Sequence, residues 1–263
     1  KVADILHGMG YIEIMNFSFM SMQQLEKLNL PANDPRLDPL KILNPLGEDS
    51  SVMRPTLAPH MLKTLSFNMN HGTQAVNLYE AANVFDPHHP TEEGLPKETQ
   101  MLCLGSYGED VDFYTLRGTA EAILVSQGID YTAEAGADAY YHPGRCAVLR
   151  RGDVMFAKVG EVHPAVLEAF DMPRRAVIAE INLELLLKNA VPMGPLKPLP
   201  RFPSVARDLA LVMEETVAVG PLMAAMQRAG GDLLESIEMF DVYRSEQLGI
   251  GKKSVAFSLI FRA

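Results

Sequence analysis

A chain of 263 residues, 48% hydrophobic and 21% charged, has an ordinary globular composition and is long enough for one large domain, or a medium and a small one. Its net charge of −10 argues against a protein that coats nucleic acid, and no apolar run approaches the roughly 20 residues that span a bilayer. Two cysteines, Cys103 and Cys146, make neither a disulfide framework nor a paired metal-ligand spacing, which fits a reducing cytoplasm.

The chain opens on KVADILHGMGY, which sets Val2, Ile5, Leu6 and Met9 on one helical face. No signal-peptide pattern follows Lys1, and the amphipathic start reads as the interior of something longer. IEIMNFSF is expected as a strand with Ile12, Ile14 and Phe17 buried, and MSMQQLEKLNL as a short helix opened by Ser21. LKIL and SVMR read as strands joined by a turn through Asn44, Pro45 and Gly47. APHMLKTLSFNMNHG predicts a helix with Pro59 near its start, Leu62, Leu65 and Met69 on one face and Gly72 as its stop. AVNLYEAANVF and QMLCLGSYG are strands, LRGTAEAILVSQGI a helix ending at Gly128, and AVLRRGDVMFAKVGEV a hairpin turning near Arg151, Gly152 and Asp153. VIAEINL is a last strand before a short Leu-rich helix. Hairpin-joined strands with helices between them predict an α+β domain on a mostly antiparallel sheet.

VPMGPLKPLPRFPS carries five prolines, a density that blocks helix and central strand and favours a stiff connector. The boundaries that follow are a first domain over 1–191, a proline-rich linker over 192–197 and a second domain over 198–263. Charge changes at the same place: 15 basic and 25 acidic residues precede Lys197, and 8 of each follow from it onward. RDLALVM, VGPLMAAMQRAG, LESIEMFDVYR and KKSVAFSLIFR then read β-α-β-β, an incomplete ferredoxin-like unit one helix and one strand short.

Motifs with chemistry give little. Asp86, His88 and His89 are interrupted by Pro87 and Pro90 and read as a solvated loop, not a metal site; His142 and His163, each followed by proline, read as turns. GIGKKS lacks the glycine and the hydroxyl residue of a phosphate-binding loop and lies between two strands, as a hairpin loop would. No Gly-x-Ser-x-Gly elbow occurs, and Leu222, Met223 and Met226 read as helix core.

The blocks IEIMNFSF, LNPLGEDSSVMRPTLAPHMLKTLSFNMNHG and VNLYEAANVF, then FPSVARDLALVMEE and LLESIEMFDVYRSEQLGIGKKSVAFSLIFR, together resemble the beta subunit of bacterial phenylalanyl-tRNA synthetase. VDFYTLRG, YYHPGRCAVL and VGEVHPAVLEAFDM fit between them, so the resemblance runs over essentially the whole chain. It implies a catalytic-like domain of class II synthetase fold followed by the start of an anticodon-binding ferredoxin-like domain.

In an active class II enzyme the strand matching VNLYEAANVF leads into an arginine that meets the ATP α-phosphate, where a fixed guanidinium stabilises developing charge. Here Phe85 is followed by Asp86 and Pro87, and IAEINLELLLKNA, the place of the third class II motif, has neither glycine nor arginine. The resemblance therefore implies an inert core, with no catalytic residue, no metal and no cofactor in this piece. ATP and magnesium belong to the whole enzyme. Glu80 is expected as a hydrogen-bonded carboxylate at a strand end. The implied partners are the catalytic alpha subunit, in an (αβ)₂ heterotetramer, and phenylalanine tRNA, in the cytoplasm and without a membrane.

For the tail, strand alternation separates Phe240 and Val242, expected against the helices, from Met239, Asp241 and Tyr243 on the open sheet face. A carboxylate there accepts from base amino groups and a phenol stacks, while Arg244 and Lys252 are placed to reach phosphates at the rim. The alternative is a free-standing, synthetase-like paralogue that binds an amino acid and regulates another enzyme.

Overall fold

The computed structural model describes residues 1–191 and 200–262, so the expected linker over 192–197 lies outside the described residues. The chain divides into two compact units, Lys1–Gly194 and Pro195–Ala263.

The first unit starts with α1 (Val2–Gly8), which buries Leu6. Met9, expected on that face, is 43% exposed because the helix ends before it. IEIMNFSF forms only β1 (Ile12–Glu13), which pairs in parallel with β4 (Val76–Asp86) through two residues, and β2 (Phe19–Met20). Ile12 and Phe17, expected in the core, are 61% and 73% exposed. The physical reason is position: β1 is the edge of the sheet, and only Ile14 of this segment packs inward.

Ser21 precedes α2 (Met22–Glu26) as expected. The turn through Asn44–Gly47 forms, but its flanking strands shrink to a Lys41–Val52 bridge and β3 (Val52–Met53), which pairs with β2. Pro39 and Pro45 flank LKIL and supply no ladder donors.

The long helix α3 (Ala58–Asn70) buries Met61, Leu62, Leu65 and Met69, with Pro59 in its first turn and Gly72 at φ +86° just after its end. Beyond β4 come β5 (Lys97–Tyr107), α4 (Phe113–Ser126), β6 (Thr132–Ala135), β7 (Tyr141–Arg151), β8 (Val154–Val162), α5 (Pro164–Ala169), β9 (Val177–Asn182) and α6 (Leu183–Asn189). Asp112 caps α4, accepting from Thr115 N while the Thr115 hydroxyl accepts from Asp112 N. The β7–β8 hairpin turns at Gly152, whose φ of +57° suits a residue without a Cβ. β6 was not expected: all four of its residues are exposed, so it carries no apolar alternation.

The seven strands order β1-β4-β5-β9-β8-β7-β6, antiparallel apart from the β1–β4 pair. One face packs α3 through Leu78, Cys103 and Ile178; the other packs α4 through Leu102, Leu104 and Ala179. Gly105 lets α3 lie close, since a Cβ there would stand 2.5 Å from Met61.

The second unit is β10 (Val205–Glu214), α7 (Val219–Gly230), β11 (Leu234–Tyr243) and β12 (Lys252–Phe261), in the antiparallel order β10-β12-β11. This is the expected βαββ arrangement; of GIGKKS, Gly249–Gly251 form the loop and Lys252–Ser254 begin β12. Leu222, Met223 and Met226 pack against Val255, Phe257 and Leu259. One expectation fails: Phe240 does not face the helix. The register passes from Met239↔Phe257 to Asp241↔Ala256, so Phe240 is an inserted bulge residue, 58% exposed, and Met239 lies on the helix side. The extra residue resets the alternation, leaving Val242 inward and Asp241 and Tyr243 on the open face.

Among the described residues no helix is long and apolar enough to cross a membrane.

Candidate functional site

The face of the large sheet that carries α3 also carries a cross-strand row of polar groups. Glu80 on β4 is opposite Cys103 on β5, Cys103 opposite Glu180 on β9, and Glu180 opposite Lys158 on β8. Beside the row lies a cleft of about 480 Å³ lined by Arg36, Thr56, Tyr140, Lys158, Glu180 and Asn182, among others.

The cations here are paired within the chain, and the buried carboxylates are hydrogen-bonded. Arg54 Nη1 donates to Glu80 Oε1 at 2.9 Å and to Phe17 O at 3.2 Å, while its Nε donates to Asn83 O at 3.0 Å. Both Arg54 and Glu80 are 2% exposed. Asn16 completes the carboxylate, its backbone N donating to Oε1 at 3.1 Å and its Nδ2 to Oε2 at 2.8 Å. Glu80 is thus mid-strand, not at the strand end expected, because β4 continues to Asp86. Its work is to fasten a segment that has little ladder pairing of its own.

Glu180 accepts from Thr56 Oγ1 at 2.5 Å, from Leu57 N at 3.0 Å and from Tyr140 OH at 2.6 Å. Burial, then the negative charge of Glu180, pushes the Tyr140 phenol well above its ordinary range, so it remains a donor. Arg36 bridges Asp34 and Asp138 with bonds of 2.7 to 3.2 Å, and Lys158 also donates to Asp138, at 2.8 Å. Burial works against the Arg36 charge, but these carboxylates outweigh it and hold its pKa above the ordinary value. Burial likewise opposes the Asp138 charge, and Arg36 and Lys158 reverse that and hold its pKa down.

The remaining sequence candidates are local. Asp86 ends β4 and accepts from His88 N at 2.8 Å and from His89 Nδ1 at 2.7 Å, closing its own turn. His142 Nδ1 accepts from Gly144 N and His163 Nδ1 from Ala165 N, so both rings brace turns, His163 at the start of α5. No cluster of three metal-ligating side chains occurs among the described residues.

His60, in the first turn of α3, is a group that the sequence reading placed in no site. Burial, then the charge of Arg54, lowers its pKa from 6.5 to about 4. The folded chain therefore binds fewer protons than the unfolded chain between these values. Its contribution is complete above the unfolded pKa and is lost as pH falls through the folded one, by about 3 kcal/mol in all. Urea midpoints read by far-UV circular dichroism are expected to fall less between pH 7 and pH 4 in His60→Leu than in the parent; equal falls would refute this.

On the second unit, the open face presents Asp241 in a row with Ala256 and Ala210, and Tyr243 in the next row with Ser254 and Val212. Lys252 is exposed. Arg244, also exposed, is paired with Glu215 through Nη2 at 2.8 Å and Nε at 3.1 Å, so it is engaged within the chain.

An antiparallel sheet with helices on its faces, followed by a separate βαββ unit, is the synthetase-like α+β architecture expected from the sequence. The solved pyrrolysyl-tRNA synthetase of Desulfitobacterium hafniense shares that fold with a TM-score of 0.59 and 18% identity, over 71% of this chain and 65% of that one. At that identity the likeness speaks for fold alone. Residues 1–183 match the family described as "Phenylalanyl tRNA synthetase beta chain CLM domain", and residues 200–263 the "Ferredoxin-fold anticodon binding domain". The chain belongs to the phenylalanyl-tRNA synthetase beta chain family. Among its relatives, the "Phenylalanine--tRNA ligase beta subunit" of Clostridium acetobutylicum is 36% identical over 99% of this chain and 33% of its own length. That of Clostridium tetani is also 36% identical, over 100% of this chain and 33% of its own. The chain thus spans about a third of the length of the curated relatives it matches.

Proposed function

We propose that this chain is a non-catalytic part of the beta subunit of a cytoplasmic phenylalanine–tRNA ligase, serving assembly with the catalytic alpha subunit and binding of phenylalanine tRNA. The observation that carries the reading is the matched cleft. Arg36 and Lys158, the cations lining it, are held by Asp34 and Asp138, and Glu180 adds an unneutralised carboxylate. A nucleoside triphosphate would meet this carboxylate with neither cation free, so these residues do not fit the phosphates of ATP. Adenylate formation then falls to the alpha subunit, and the two subunits join in an (αβ)₂ heterotetramer. Exposed Ile12, Met15 and Phe17, at 61%, 91% and 73%, supply apolar surface for that pairing.

The tRNA contact is assigned to the open face of the second unit. Ala210 and Ala256 form a flat floor on which an unpaired base can lie, Asp241 accepts from its amino groups, and Tyr243 stacks. Asp241→Ala and Tyr243→Ala are each expected to weaken binding of phenylalanine tRNA by about tenfold, within the roughly 1–3 kcal/mol of a base contact. Arg244→Ala is expected to change little, because Glu215 already holds the guanidinium, and the salt dependence is expected to be shallow. Fluorescence anisotropy with labelled tRNA checks this; unchanged affinity in the Asp241 and Tyr243 variants would move the RNA contact off this face.

A further inference from the structure

A second cavity, of about 440 Å³, opens beside the first turn of α3 and is lined in part by Phe17, Phe19, Gln24, His60, Lys63 and Phe67. Its walls are aromatic. Phe17 and Phe19 stack with ring centroids 5.1 Å apart and planes at 12°, and Phe67, on α3, is 61% exposed. Its lining also includes Gln24 and His60, whose Oε1 and Nδ1 are buried with no hydrogen-bond partner among the described residues; His60 as a whole is 7% exposed. A buried polar atom left unpaired costs about 1–3 kcal/mol, so both atoms favour an occupant that can bond them. Lys63 and Asp49 line the cavity with opposite charges, which favours a neutral occupant.

We infer that this cavity is a socket for one neutral, amide- or hydroxyl-tipped side chain of the alpha subunit, with Phe17 and Phe67 closing around it. The inference rests on the assembly reading and gives that surface its anchor. A free small molecule filling the cavity would leave the outer rings of Phe17 and Phe67, and Ile12 and Met15 of the same segment, in water. A protein surface covers them together, as an apolar rim around a desolvated polar centre.

The test is titration calorimetry of the 263-residue chain with separately expressed alpha subunit. Gln24→Leu keeps the volume and removes the unpaired amide. It is expected to raise the urea midpoint of the free chain and to weaken the complex about tenfold, a combination that a purely internal role does not produce. Phe17→Ala, on an exposed ring, is expected to leave the midpoint unchanged and to weaken the complex by a similar factor. Leu187→Ala, 55% exposed on α6, is the control and is expected to alter neither. If the parent binds and both socket variants bind equally well, the socket is refuted and the assembly reading stands. If the parent itself fails to bind, both fall. Nicotinamide bound equally well with and without the alpha subunit present would replace the protein occupant by a small molecule.

Discussion

Arg54→Ala is expected to destabilise the first unit by about 3–5 kcal/mol, the cost of leaving a buried charge without its partner. Glu80 is sealed from water in the middle of β4; among the described residues its two oxygens meet no second cation and are otherwise satisfied only by Asn16. The same substitution frees the Phe17 and Asn83 carbonyls that Arg54 bonds. The Asn16–Phe17 segment would then loosen, and with it the apolar surface assigned to assembly, so binding of the alpha subunit should weaken along with stability. The chain contains no tryptophan, so the unfolding signal is far-UV circular dichroism in urea. The double variant Arg54→Met/Glu80→Leu, which removes both charges, is expected to regain part of the loss. A single-variant loss below about 1 kcal/mol would show the pair to be solvent-screened and would remove its structural role.

Glu180→Ala is expected to cost about 3 kcal/mol, since three donors lose one acceptor group in a largely enclosed place. They come from separate parts of the chain: Thr56 and Leu57 at the entry to α3, and Tyr140 before β7. Glu180 therefore ties the start of the long helix to the central strand β9. Glu180→Gln retains one acceptor oxygen and should lose less, about 1 kcal/mol. The same urea measurement decides it; equal stability in Glu180→Ala and the parent would mean that water replaces the carboxylate without loss. Though it lines the cleft, this residue holds the scaffold together.

Much of the fold was legible because its long elements have strong periods. α3, β4, α4, the β7–β8 hairpin and the whole βαββ tail fall where apolar spacing, capping residues and turn glycines put them. What failed has specific physical causes. Ile12 and Phe17 have the composition of a buried strand, yet Ile12 lies on the edge strand and Phe17 in the irregular stretch between β1 and β2, placements that alternation does not encode. Phe240 was misplaced by a single bulge residue, which shifts the pattern by one while leaving composition unchanged. β6 has no apolar residue larger than alanine to mark it.

Asp86, singled out in the sequence for standing after the motif-bearing strand, closes a local turn with His88 and His89 and does not line the cleft. The matching of Arg36 by Asp34 and Asp138 was not legible, since these residues are distant in sequence and come together only when the sheet forms. The orphaned Gln24 and His60 were equally hidden, because an unmet hydrogen bond is a property of packing.

We propose an assembly partner of a catalytic subunit, with adenylation left to that subunit. Size-exclusion chromatography with light scattering, on the chain mixed with separately expressed alpha subunit, tests it most directly. A stable co-eluting species with the mass of a stoichiometric complex is the predicted result. Separate elution of the two chains at concentrations well above micromolar would contradict it and would favour a free-standing, amino-acid-binding regulatory paralogue.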